Sequence, residues 1–160
     1  MKHATIIFLI AVVALGIYAI AEQDFFPTDD YVEMDVLELE GVTIAFGSGC
    51  KAIIADTSPE RALAIQAGLD GVIELRPTIY DGFSETLDVF NMTIVSMAVE
   101  SFDGQFYYSN LVVRNPTKVV KIDMKPSDAM ALALRTQAKM YINKELLEAQ
   151  GVDVCSDAVS

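Results

Sequence analysis

The clearest hydrophobic pattern lies in residues 92–102. Met92, Ile94 and Ala98 fall on one side of an alternation, with Thr93, Val95, Met97 and Val99 on the other. Both faces are largely apolar, which predicts a strand covered on both sides, at the centre of a sheet. Asp103-Gly104 then reads as a hairpin turn, and 105–113 returns antiparallel. Upstream, 31–40 alternates at Val32, Met34 and Val36, then slips to Leu37 and Leu39. That change of phase predicts a bulged strand. Residues 42–46 and 51–55 form a second hairpin pattern around Gly47-Ser48-Gly49-Cys50. Thr57-x-x-Glu60 reads as a capping box, which predicts a helix over 58–67 closed by Gly68. Ile79, Phe83, Leu87 and Phe90 share one face at helical spacing, so 78–90 is a second helix.

Residues 119–123 form another strand, and a Pro126-Ser127-Asp128 turn leads into an alanine- and leucine-rich helix. Ser127 has the chemistry of an N-cap, and Asp128 falls in the first turn, where the helix dipole favours a carboxylate. Residues 140–142 form a short strand, Asn143 caps a last helix ended by Gly151, and 153–160 reads as a flexible tail. Pro59-Glu60-Arg61-Ala62-Leu63-Ala64 parallels Pro126-Ser127-Asp128-Ala129-Met130-Ala131, each after a hairpin and one further strand. The fold class that follows is α+β. It has a mixed, mainly antiparallel sheet with helices packed against it, and an internal strand–strand–strand–helix duplication with an extra helix between the units.

Residues 4–21 are apolar apart from Thr5, with Lys2 before them and Glu22 after. The length is near the minimum for a membrane helix, and Ala19-Ile20-Ala21 fits a small-x-small cleavage site. The segment therefore fits both a membrane anchor and a cleaved signal peptide. Lys2 on its N-terminal side predicts an exported remainder. Residues 22–30 read as an acidic linker, and 31–152 as the domain proper. The net charge of −12 argues against generic nucleic-acid binding, which depends on phosphate neutralisation. The basic residues gather in the later half, from Arg114 to Lys144, and leave room for a local basic face. Outside the cytoplasm Cys50 and Cys155 are able to pair, but the sequence does not show whether they meet. Two distant cysteines and one histidine do not make a zinc site.

The run Lys121-Ile122-Asp123-Met124-Lys125-Pro126-Ser127-Asp128-Ala129 resembles the signature of the bifunctional nuclease domain family. Phe106-Tyr107-Tyr108-Ser109-Asn110-Leu111 and Arg76-Pro77-Thr78-Ile79-Tyr80-Asp81 resemble two further family segments, and the likeness extends over 31–152. It implies hydrolysis of phosphodiester bonds in DNA and RNA, and assembly into homo-oligomers. Such hydrolysis commonly uses carboxylates that hold a divalent metal such as magnesium. Asp123 and Asp128 are the expected metal pair, converging at one strand–helix junction. Lys125 would meet phosphate, with Ser127 and Asp81 as further site residues. Glu100 and Arg76 are outer candidates, and the Phe106–Tyr108 aromatics are able to stack bases.

Three departures stand out. Tyr80 occupies the place of the family's histidine, Met124-Lys125 replaces a small residue and arginine, and Gly82 interrupts an Asp-Leu-Leu pattern. The missing histidine and the acidity point to a rival reading, a catalytically inactive, exported, oligomeric binding module on the same fold.

Overall fold

The computed structural model describes Phe26, residues 29–73 and residues 75–155. The apolar segment 4–21 lies outside the described residues. Among those described, no helix is long and apolar enough to cross a membrane.

The elements run β1 (Tyr31–Glu33), β2 (Asp35–Glu40), β3 (Thr43–Ser48), β4 (Lys51–Asp56), α1 (Pro59–Asp70), α2 (Ile79–Val89), β5 (Thr93–Phe102), β6 (Tyr107–Asn115), β7 (Lys118–Met124), α3 (Pro126–Thr136), β8 (Lys139–Asn143), α4 (Lys144–Gln150) and β9 (Val152–Asp153). They build an α+β fold with two sheets, ordered β1-β8-β5-β6-β7 and β2-β3-β4-β9. Among the described residues all pairings are antiparallel except β5 with β8. Two meanders, β2-β3-β4 and β5-β6-β7, each feed a helix that opens on proline, so the strand–strand–strand–helix repeat is present in the topology. α2 is the extra helix between the two units.

β5 is central, as its two apolar faces require. Met97 and Val99 join the main core, while Ala98 lies in a second cluster on the opposite face. The main core ties the sheets together, packing Ile44, Phe46 and Ile53 with Leu111, Val113, Met130 and Leu132. The second cluster holds Phe26, Val112 and Tyr141. Phe26 is fully buried there, with its ring 5.1 Å from that of Tyr31 and Lys121 Nζ 4.7 Å above it. The stretch read as a linker is therefore docked at Phe26.

Other expectations change on physical grounds. The single strand expected over 31–40 is two strands in different sheets. Buried Met34 separates them, its N–H donating to the Met140 carbonyl at 2.9 Å. The expected bulge is present, between Val36 and Glu38. In both proline-led helices the cap is the residue before the proline, Ser58 for α1 and Lys125 for α3. A residue preceding proline is pushed to extended backbone, which is the N-cap conformation, and proline suits N1 because that N–H has no intrahelical partner. Thr57 and Ser127 are thus displaced from the capping role, to the positions before the cap and inside the first turn respectively. α1 runs past Gly68 to Asp70, and Gly71, at φ 63°, takes the left-handed C-cap. Asn143 caps α4 as expected, its side chain accepting from the Leu146 N–H. Residues 153–155 are not a loose tail. Val152–Asp153 pairs with β4, and Cys155 forms a disulfide with Cys50, with Cα atoms 5.2 Å apart. Residues 156–160 lie outside the described part of the chain.

Candidate active site

α1 and α3 pack against each other, and Gly68 lets them approach. A Cβ at that position would lie 2.8 Å from Leu134 Cβ. This contact brings the duplicated segments face to face. Arg61 follows Pro59 by two residues, just as Asp128 follows Pro126. The two equivalent positions meet: Arg61 Nε donates to Asp128 Oδ1 at 2.8 Å. Arg61 Nη1 also reaches Ser58 Oγ at 3.3 Å.

α2 adds a second layer to this centre. The Tyr80 hydroxyl donates to the same Asp128 oxygen at 2.7 Å. Burial, and then the hydrogen bond to the Asp128 carboxylate, push the Tyr80 phenol up to about 12. Asp81 completes a capping box with Thr78, accepting from its hydroxyl at 2.6 Å and its N–H at 2.7 Å. Its other oxygen accepts from Arg135 Nε at 3.1 Å. The Thr78 hydrogen bonds first, and then the Arg135 guanidinium, hold the Asp81 carboxyl below the usual carboxylate range. Arg135 also donates to the Ala64 carbonyl at 2.6 Å and sits 5.2 Å from the centre of the Tyr80 ring. Two arginines, two aspartates and a tyrosine from three helices thus form one charge-balanced network.

Asp123 lies elsewhere. On β7 its neighbours Ile122 and Met124 pack against the main core, and successive strand residues face opposite ways. Asp123 is therefore on the other face, opposite Asn110 in register. Asp128, in the helix layer, pairs instead with Arg61 and Tyr80. The metal pair expected of Asp123 and Asp128 does not fit this arrangement. Asp128 Oδ1 already accepts from a guanidinium and a phenol, which leaves that oxygen engaged within the protein. Among the described residues, no group of three or more His, Cys, Asp or Glu side chains is placed to hold a metal ion.

A cleft of about 710 Å³ adjoins the network. It is bordered by Arg61, Ser58, Asp56, residues 105–108, and Asp123, Lys125 and Ser127. Three of the expected site residues thus share one cleft, and Arg61 links it to Asp128. A second hollow of about 860 Å³ is lined by Asp70, Asp81, Glu85 and Asp88 among others, a poor match for a polyanion. Glu100 is engaged by Tyr31 and by Asn110, the latter at 3.1 Å, and Arg76 is exposed. Tyr107 packs in the core against Phe102 and Phe46, whereas Phe106 and Tyr108 are exposed. Arg61 and Arg135 were not among the residues expected from sequence. The repeat offered one signal, since it sets Arg61 in register with Asp128.

The model of the bifunctional nuclease domain matches residues 52–155. Bifunctional nuclease 1 of Arabidopsis thaliana is 27% identical over 96 residues, covering 58% of this chain and 30% of that protein. Bifunctional nuclease 1 of Oryza sativa subsp. indica and the bifunctional nuclease of Oryza minuta are each 25% identical over 96 residues, covering 58% of this chain and 29% of theirs. The chain therefore spans about three tenths of the length of these curated relatives.

Proposed function

This chain belongs to the bifunctional nuclease domain family, and from that premise we propose that it hydrolyses phosphodiester bonds of DNA, RNA or both at the cleft beside Arg61 and Asp128. The observation that carries the reading is the Arg61–Asp128–Tyr80 centre. It draws two family-like segments, around Tyr80 and around Asp128, onto one carboxylate at the edge of a cleft bearing Lys125. In this reading Lys125 and Arg61 hold the phosphate, and Asp128 accepts a proton from the attacking water. The water oxygen bonds to phosphorus, the ester P–O bond breaks, and the leaving oxygen takes a proton from solvent. With its phenol near 12, Tyr80 stays protonated at neutral pH and donates to Asp128. That hydrogen bond falls on the same Asp128 oxygen that accepts from Arg61.

The test is cleavage of labelled single- and double-stranded DNA and RNA by the full chain, with magnesium, with manganese and with chelator. Product is expected. Asp128→Asn should lower the rate at least ~100-fold, the scale of a lost general base, while Tyr80→His raises it. The same Tyr80–Asp128 bond favours the second reading, a non-catalytic binding module, because it ties up the central carboxylate. An unmodified protein that is folded but cleaves none of these substrates would favour that second reading. Export is part of the proposal, and the Cys50–Cys155 disulfide supports it, since such bonds persist in oxidising compartments. Protease added to intact cells should digest the domain.

A further inference from the structure

The tip of the β5–β6 hairpin holds two aromatic rings in the open. Asp103 organises it. One carboxylate oxygen accepts from the Gln105 and Phe106 N–H groups, each at 2.8 Å, and the other accepts from the Tyr108 hydroxyl at 2.7 Å. The loop is thus fixed by one side chain, and the Tyr108 ring is tied in place by its own hydroxyl. Phe106 remains 58% exposed and Tyr108 42% exposed, whereas Tyr107 between them is packed inward. Phe106 and Tyr108 are among the residues that border the cleft carrying Lys125 and Arg61.

We propose that Phe106 and Tyr108 form a stacking platform for unpaired bases, so that the cleft selects single-stranded over double-stranded nucleic acid; this rests on the nuclease reading above. Charge supplies the reason. Duplex binding draws on many neutralised phosphates, but this chain carries −12 overall, and the cleft offers Lys125 and Arg61 against Asp56 and Asp123. With so little electrostatic attraction, binding must come from elsewhere. Aromatic faces attract any unpaired base regardless of sequence. Bases inside a duplex already stack on one another and present no free face. The volume of about 710 Å³ lies within the range of sites for small ligands, enough for a short stretch of strand and not for a helix.

The experiment measures binding of the full chain to fluorescent oligothymidylate, oligouridylate and a blunt DNA duplex of equal length. All carry nuclease-resistant phosphorothioate linkages and are followed by anisotropy over a salt series. Single strands should bind at least ~10-fold more tightly than the duplex. Phe106→Ala should weaken single-strand binding roughly 5- to 100-fold and leave duplex binding unchanged, and Phe106→Tyr should restore it. Two phosphate contacts predict a shallow salt slope, about −1.4 in log K against log salt. Comparing the thymidylate and uridylate arms separates DNA from RNA. Equal affinity for the duplex, unaltered single-strand binding by Phe106→Ala, or no binding to any strand would overturn the platform. Cleavage with an unchanged KM in Phe106→Ala would remove the platform and leave the nuclease reading standing. Tight, Phe106-dependent binding without cleavage would do the reverse.

Discussion

At the scale of single residues, Asp81 has the clearest consequence outside catalysis. Its carboxyl is depressed in the folded chain, so it contributes stability above the ordinary aspartate value that is lost as pH falls through the lower, folded one. Thermal melting should therefore decline on acidification below about pH 4. Asp103, depressed by the backbone N–H of Phe106 and the Tyr108 hydroxyl, adds to the same acid limb. Asp81→Asn should flatten part of that limb while lowering the melting temperature at neutral pH. Tyr80 works in the opposite direction. A phenol raised to about 12 stabilises the fold fully below its ordinary value near 10, and that contribution is lost as pH rises from there toward 12. Tyr80→Phe should shorten the alkaline decline in the same melts.

At the scale of elements, the centre depends on the distance between α1 and α3. Gly68 sets it, because a Cβ there meets Leu134 Cβ at 2.8 Å. An alanine in mid-helix ordinarily gains about 1 kcal/mol over glycine. Crowding of a packed contact costs about 1–3 kcal/mol, so Gly68→Ala should destabilise the chain by about 1 kcal/mol net. Urea denaturation would show it. The same change should weaken the Arg61–Asp128 pair, since the helices must part to admit the methyl group. The helices, hairpins and central strand were legible from hydrophobic period and turn residues. Their caps were less so, since each proline moved the cap to the residue before it. The split at Met34 was hidden as well, because two strands in different sheets keep one alternation.

At the scale of the whole molecule, the Cys50–Cys155 bond closes a loop spanning 105 residues and fastens β9 to β4. Long loops give the largest loss of unfolded-state freedom, so removing the bond should cost about 2–4 kcal/mol. Denaturation midpoints with and without reductant would measure this. Assembly is a second property of this scale. The apolar β5–β6 hairpin is largely buried within its own chain. Exposed apolar side chains lie instead on and around α1 and α2, at Leu63, Leu69, Ile73, Ile79, Val89 and Phe90. Exposed apolar area of that kind is found at interaction surfaces, and on that ground we propose that the chain forms homo-oligomers. Light scattering of the purified chain should give more than the monomer mass at micromolar concentration, and a monomer at every concentration would reject it.

The sequence by itself determined most of the helices and hairpins, the central strand, the α+β class, the repeated unit and the likeness to the nuclease family. Each of these rests on local period, turn chemistry or a contiguous motif, and so is written in neighbouring residues. Only the tertiary structure decided which carboxylates belong together. Asp123 and Asp128 are five residues apart, yet strand alternation sends Asp123 to one face while Asp128 joins the helix layer. Arg61, Tyr80 and Asp128 are scattered over 68 positions, yet packing of α1 and α2 against α3 brings them to one oxygen atom. Contacts of this kind are set by how helices and sheets pack, which local sequence spacing does not encode.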